Sequence, residues 1–223
     1  MSKVSVKLLM PNWDYVLMTD KTAEDMVKEH FPAFYKTYIN LEYNIMRADA
    51  LRYMFLYLYG GVYMDLDIEL MKPLDNLLGE NADLYLVKSG NVGSVYTNSF
   101  MASKPRCDLW LDCLDEIKRP YEYWVIGKHL KVMYRTGPLM LTRVVNKNKY
   151  QYHIKTIPKE LIMPCNSCDP KPCTKPGAYT KALEGSSWCG WDSFFYTGCI
   201  CNWKLILFLF VLFVLFVLFI SKH

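Results

Sequence analysis

Apolar residues recur at helical spacing between Asn44 and Tyr59, where Ile45, Ala48, Leu51, Phe55 and Leu58 fall near 3.6-residue intervals. That spacing predicts a helix closed by Gly60 and Gly61, because a glycine readily takes the positive φ that ends a helix. The next segment, VYMDLDIEL, alternates apolar and polar residues and predicts one strand, apolar at its start and acidic at its end. Upstream, WDYVLMTD predicts a short strand, and Thr22 with Asp25 marks the start of a helix over Ala23 to His30 that Pro32 stops. Downstream, KPLDNLLGE predicts a loop with a short helix, ADLYLVKSG and NSFMAS two strands, and Asp108 to Lys118 a helix. GPLMLTRVVNK predicts a helix opened by its Gly-Pro pair, and YHIKTIPKEL a strand entering a loop. Strands alternating with helices predict an α/β domain with a mixed, mostly parallel sheet flanked by helices.

The alternation stops near the carboxyl end. LILFLFVLFVLFVLFI, from Leu205 to Ile220, is sixteen apolar residues without a break. At ~1.5 Å per residue, with an extension back to Ile200, the run matches a ~30 Å hydrocarbon layer. Trp203 and Lys204 suit its edge. The pattern predicts a domain over residues 1–199, one C-terminal transmembrane helix over 200–220 and a tail over 221–223. MSKVSVKLLMPNWDY lacks the apolar core of a signal peptide, so the expected topology is a single carboxyl-terminal anchor. Lys204 and Lys222 balance, so the flanks do not set its orientation.

A formal net charge of +4, with lysines and arginines scattered rather than clustered, argues against a nucleic-acid groove. Of the eight cysteines, CNSCDPKPC holds Cys165, Cys168 and Cys173 within nine residues. With Cys189 they could form a zinc site, or they could form disulfides or remain free thiols, and the spacing leaves these alternatives open.

Asp65 and Asp67 share one side of the predicted strand, with Glu69 in phase, so like charges line up beside each other. Arg47, Asp49 and Arg52 lie on the preceding helix, Arg52 three residues after Asp49 and therefore on its face. Helix, glycine turn and strand end bring basic and acidic groups to one crevice. Such a row makes sense on an exposed acidic face, or where a divalent cation on aspartate oxygens binds a diphosphate.

The stretch RADALRYMFLYLYGGVYMDLDIELMKPLD matches every position of R-x-D-x-x-R-Y-x-x-L-Y-x-x-G-G-x-Y-x-D-x-D and so resembles glycosyltransferase family 32, the DXD sugar-binding region family. PNWDYVLMTD, HFPAFYKTY, TNSFMAS, TGPLMLTR and EGSSWCGWDS follow in the family's order, and the Ser-Ser-Trp form is most similar to the mannosyltransferases that act on inositol phosphorylceramide. The resemblance covers about residues 8 to 192. It implies a GT-A-type nucleotide-sugar-binding domain that transfers a sugar with retention, using Mn²⁺ or Mg²⁺ and a GDP- or UDP-linked donor, with GDP-mannose expected. The implied acceptor is a lipid or glycan at an endomembrane, Golgi or endoplasmic reticulum. By position it implies sugar or phosphate contacts for Asp49 and Arg52, a place in the nucleotide pocket for Tyr63, and ribose and sugar hydroxyls for Asp65. Asp67 becomes the direct metal ligand, with Asp65 and Glu184 completing the shell, and Asp65, Asp67 and Arg52 carry the catalysis. Ser186, Ser187 and Trp188 correspond to the loop that closes over the diphosphate. Two departures stand out. The chain starts almost at the family's second strand, and Ala182 stands about where the closing motif has a histidine. They motivate an alternative, a catalytically impaired membrane-anchored scaffold or regulatory subunit of a partner transferase. His30, His129 and His153 lack metal-ligand spacing and are expected to be structural. Glu69 falls outside the signature and is expected at the surface.

Overall fold

Leu84 and Leu86 point to one side of the central sheet, Tyr85 and Val87 to the other, and all four are buried. A strand buried on both faces needs a layer on each side, and the chain supplies both. The computed structural model describes residues 2–79, 81–89, 95–120, 127–185 and 187–220. In chain order the elements are α1 (Ser2–Leu9), α2 (Asp20–His30), α3 (Pro32–Ile39), α4 (Asn44–Tyr59), β1 (Gly61–Met64), β2 (Ile68–Leu70), β3 (Leu84–Ser89) and β4 (Val95–Ser103). Then come α5 (Leu109–Lys118), α6 (Lys128–Arg135), α7 (Pro138–Asn148), β5 (Ile154–Ile157), α8 (Lys159–Ile162), β6 (Thr180–Ala182), α9 (Trp191–Cys201) and α10 (Trp203–Ile220).

The main sheet has the order β1-β4-β3-β5. Both β1 and β3 run antiparallel to β4, and only β5 runs parallel to β3. The sheet is therefore mixed, as expected, but mostly antiparallel among the described residues. The chain returns from β3 directly into β4, and a direct return gives an antiparallel pair. Only β5, reached across α5 to α7, has the long crossover that a parallel neighbour requires. On one face, α4 contributes Met46, Ala50, Tyr53, Met54 and Leu56 to a core closed by Trp110 of α5. The Tyr53 and Trp110 rings stack at 5.8 Å. On the other face Met10, Leu70, Leu74, Tyr85, Phe100 and Ile157 form a second core.

The helix over Asn44–Tyr59 has the boundaries its periodicity predicts, and Gly60 caps it at φ 65°. A Cβ at Gly60 would also lie 2.5 Å from the Pro105 nitrogen, so both the backbone angle and the close approach require glycine there.

Four expectations are corrected. WDYVLMTD forms no strand. Thr19, rather than Thr22, caps α2, and the Thr22 hydroxyl accepts from the Thr19 amide at 2.8 Å in a reciprocal capping box. KPLDNLLGE forms turns and no helix over its described residues. VYMDLDIEL is two strands, because the chain turns at Asp65–Asp67, where the Ile68 amide donates to the Asp65 carbonyl at 3.1 Å. β2 pairs with β6 rather than with the main sheet, and Ile68 and Leu70 are buried, Leu70 in the second core. That ribbon also sets Glu69 opposite Lys181.

The carboxyl end differs as well. The expected single helix over 200–220 is two helices that bend by 75° across Asn202. Among the described residues no single helix is long and apolar enough to cross a membrane, whereas Trp191–Cys201 and Trp203–Val214 meet the length and composition of a span together. Cys201, the last residue of α9, forms a disulfide with Cys168, and a second disulfide joins Cys165 to Cys173. These sulfurs are therefore not available to zinc, and Cys189 is free. The Cys168–Cys201 bond closes a span of 33 residues and holds the end of α9 to the loop after α8. Cys168→Ser is expected to lower unfolding free energy by about 2–4 kcal/mol, read as a lower denaturant midpoint with a steeper slope, because the unfolded chain loses a cross-link and exposes more surface. An unchanged midpoint would show that the bond carries no stability.

Candidate active site

The centre of the site is a buried arginine. Arg52, on the inner face of α4, is 4% exposed and, besides the Ala48 carbonyl of its own helix, reaches three acceptors. Its Nη2 lies 2.8 Å from Asp49 Oδ1. Its Nη1 lies 3.2 Å from Asp65 Oδ1 and donates to the Asn98 carbonyl at 2.6 Å. The guanidinium also sits 4.6 Å from the centre of the Tyr63 ring. The i,i+3 spacing anticipates the Asp49–Arg52 pair. Asn98 lies 46 residues away and reaches Arg52 only because β1 and β4 are adjacent.

Asp49 is buried and fully engaged. Its Oδ1 also accepts from the Asn98 amide at 2.9 Å, and its Oδ2 accepts from the Thr136 hydroxyl at 2.7 Å. Thr136 sits between α6 and the Gly137–Pro138 start of α7, and its carbonyl accepts from Tyr53 at 2.8 Å. The structure thus places Asp49 behind Arg52, holding it. Asn98 and Thr136 are site residues that sequence reasoning missed. Their only signal lay within the TNSF and TGPL segments, which read there as elements of structure.

Asp65 stands at the end of β1 with its side chain 31% exposed. Its Oδ1 accepts from the Tyr63 hydroxyl at 2.7 Å as well as from Arg52. Burial pushes the Asp49 and Asp65 carboxyls up from the ordinary carboxylate range, and the Arg52 charge opposes that shift. Burial also works against the Arg52 charge, but Asp49, Tyr63 and Asp65 hold it well above its ordinary value, so it stays protonated. Burial raises the Tyr63 phenol, which remains a donor to Asp65.

Asp67 is different. Its side chain lies in the turn after β1, and no hydrogen bond or ion pair reaches its carboxylate among the described residues. Its charge instead acts on Asp65, raising that carboxyl further. The Leu183 amide donates to the Asp67 carbonyl at 2.8 Å, which brings Gly185 against the side chain. A Cβ at Gly185 would run into the Asp67 carboxylate. Gly185→Ala is expected to displace that carboxylate and lower kcat/KM on the order of 10²-fold with little change in Tm. Unchanged kinetics would show that the Asp67 position does not matter.

Glu184 is exposed. Among the described residues it does not gather with Asp65 and Asp67 into a close ligand set. The one such group is Cys165, Asp169 and Cys173, and both of its cysteines are disulfide-bonded. The donor set at Asp65 and Asp67 fits a hard divalent cation that takes one or two carboxylates and fills its other positions with phosphate or water oxygens.

Of the closing segment, Ser186 lies outside the described residues. Ser187 is exposed, and Trp188 is partly buried and stacks on His129 with ring centres 5.4 Å apart. Lys128 donates to the Trp188 carbonyl. The start of α6 therefore holds the closing segment, and the end of α6 leads to Thr136 and Asp49. The His129 ring also lies 3.0 Å, through Nδ1, from the Ser193 hydroxyl.

Residues 2–83 match the family described as "Glycosyltransferase sugar-binding region containing DXD motif". Over these residues the chain is similar to this glycosyltransferase family. The matched region runs from α1 up to the start of β3 and so contains Asp49, Arg52, Tyr63, Asp65 and Asp67. The chain is 41% identical over 141 residues, 63% of its length, to mannosyl phosphorylinositol ceramide synthase SUR1 of Saccharomyces cerevisiae, of which this covers 36%. It is 30% identical over 207 residues, 90% of its length, to inositol phosphoceramide mannosyltransferase 3 of Schizosaccharomyces pombe, of which this covers 54%. The chain thus spans between a third and about half of the length of these two relatives. Among solved structures, the PaToxG glycosyltransferase aligns over 58% of this chain and 45% of that one, with a TM-score of 0.43 and 18% identity.

Proposed function

We propose that this chain is a retaining glycosyltransferase that moves a sugar from a nucleoside diphosphate sugar to an acceptor at a membrane. The observation that carries the proposal is the Asp67 carboxylate beside the Arg52–Asp65 pair, reached by no hydrogen bond or ion pair among the described residues, within the matched DXD region. The names of the relatives point to mannose as the sugar and to an inositol phosphoceramide as the acceptor, and the donor in this reading is GDP-mannose. A divalent cation, Mn²⁺ or Mg²⁺, held by Asp67 with Asp65 behind it, would supply positive charge where the departing diphosphate gathers negative charge.

The chain's own residues do the rest. Arg52 presents a fixed cation whose orientation is set by Asp49 and Asn98, so little reorganisation is needed as charge develops. Tyr63 and Arg52 occupy one oxygen of Asp65 and leave the other for a sugar or ribose hydroxyl. The Gly185 backbone packs on Asp67 and restricts where its carboxylate can lie. In the transfer, the bond from the anomeric carbon to the β-phosphate oxygen breaks, the acceptor oxygen bonds to that carbon, and the acceptor proton goes to the released phosphate. The protein attaches to the membrane through its carboxyl-terminal apolar segment, as the bent pair α9 and α10 rather than as one helix. The two disulfides fit an oxidising compartment, such as the lumen of the Golgi or endoplasmic reticulum.

The test is turnover of a panel of GDP- and UDP-sugars with inositol phosphoceramide vesicles, with and without Mn²⁺. Metal-dependent mannose transfer from GDP-mannose is expected. One observation favours a second reading: Glu184 does not join Asp65 and Asp67 in a ligand set. Donor neither bound nor turned over would overturn the enzyme and leave the membrane-anchored partner subunit.

A further inference from the structure

Helix α9 is turned inside out relative to a water-facing surface helix. Asp192 and Ser193 are buried, while Trp191, Phe194 and Phe195 are 82%, 70% and 62% exposed. The three aromatic residues are spaced i, i+3, i+4 and so form one stripe along the helix. The inward polar pair is well partnered. Asp192 Oδ2 accepts from the His129 amide at 2.7 Å and Oδ1 from the Ser193 amide at 2.9 Å, and the Ser193 hydroxyl lies 3.0 Å from His129 Nδ1. Amide donors hold the Asp192 carboxyl below its ordinary range, so it stays ionised in this position. These contacts lock the rotation of α9 against α6 and leave the aromatic stripe uncovered, an arrangement that soluble monomers avoid on a contiguous patch.

The neighbouring helix indicates the cover for this stripe. Beyond Asn202 lies α10, eighteen residues or ~27 Å long. Every side chain from Trp203 to Val214 is exposed, and all but Lys204 are apolar. Trp203 and Lys204 stand at the junction, with the ammonium 5.9 Å from the indole ring centre, and this pairing of residue types is typical of a membrane–water boundary. The 75° bend is the angle expected between a helix lying at a bilayer surface and one entering the bilayer. The Cys168–Cys201 disulfide secures the corner.

We propose that α9 is an interfacial helix lying on the same bilayer that α10 enters, with Trp191, Phe194 and Phe195 in the headgroup layer. The inference rests on the membrane attachment proposed above and adds an orientation. Because α9 holds α6, and α6 holds Trp188, the segment that packs on Asp67 lies next to the lipid surface. An acceptor carried on a lipid headgroup would then meet the site within the membrane plane.

The test uses the full chain in phosphatidylcholine vesicles, comparing wild type with Trp191→Phe. The difference in emission between the two isolates Trp191. A shift of that emission to shorter wavelength is expected, with stronger quenching by lipids labelled near the headgroup than by lipids labelled near the acyl terminus. Trp203→Phe serves as a reference for the junction. A chain that floats with the vesicles but whose Trp191 emission is water-like and unquenched would overturn the placement of α9 and leave the anchor standing. A shift without quenching by either lipid, growing with protein-to-lipid ratio, would overturn it in favour of contact with a second copy of the chain. Failure to float would overturn both the anchor and the placement.

Discussion

Replacing Asp67 by alanine is expected to lower kcat/KM by about 10²–10³-fold, the range seen when one electrostatic contact to a developing charge is removed. The variant should keep its fold. The Asp67 side chain makes no hydrogen bond or ion pair among the described residues, so its loss leaves no buried group without a partner. Removing it also relieves the charge that it imposes on Asp65. Unfolding free energy should therefore stay the same or rise slightly, and the two readouts separate function from folding. Asp67→Ala that transfers at the wild-type rate would sink the proposed role, and Asp67→Ala that unfolds would show that the residue is structural.

Arg52→Ala is expected to do the opposite, with stability as the first loss. The change removes the cation between Asp49 and Asp65 and the donor to the Asn98 carbonyl. Breaking a buried pair by removing one partner costs about 3–5 kcal/mol, because the other charge stays buried without compensation. The Asp49 half of the network carries most of that cost, since Asp65 is partly open to water. Arg52→Lys should recover little, because one ammonium cannot match the fork that reaches Asp49 and Asp65 at once. The double change Asp49→Leu with Arg52→Met should be more stable than Arg52→Ala, since neither charge is then stranded, while remaining inactive. Chemical denaturation of the three variants decides the matter, and equal stability for wild type and Arg52→Ala would contradict the network.

Much of the site was legible because its parts are close in sequence. Asp49 and Arg52 share a helix face, Gly60 and Gly61 mark the turn, and Tyr63, Asp65 and Asp67 come within seven residues of it. The fold class was legible for the same reason, since α4, β3, β4, α5 and α7 each show a local period. Alternation could not show where a strand stops. VYMDLDIEL keeps period two through the turn at Asp65–Asp67, because Ile68 and Leu70 remain apolar in either case. The Cys165–Cys173 and Cys168–Cys201 pairings were equally hidden, since spacing within a loop does not say which sulfurs meet.

The sequence by itself brought Asp49, Arg52, Tyr63, Asp65 and Asp67 together as candidates, because helix face and glycine turn are properties of a few consecutive residues. It also determined that the carboxyl end is too apolar to face water. Only the tertiary structure decided how those groups divide their work. Asn98 and Thr136 arrive from β4 and the start of α7 to take up Asp49 and fix Arg52, while Asp67 is left open under Gly185. Only the tertiary structure, too, broke the apolar end at Asn202 and turned the aromatic face of α9 outward. The physical reason is common to both. A side chain's type is local, but whether its charge or its ring is covered depends on elements dozens of residues away.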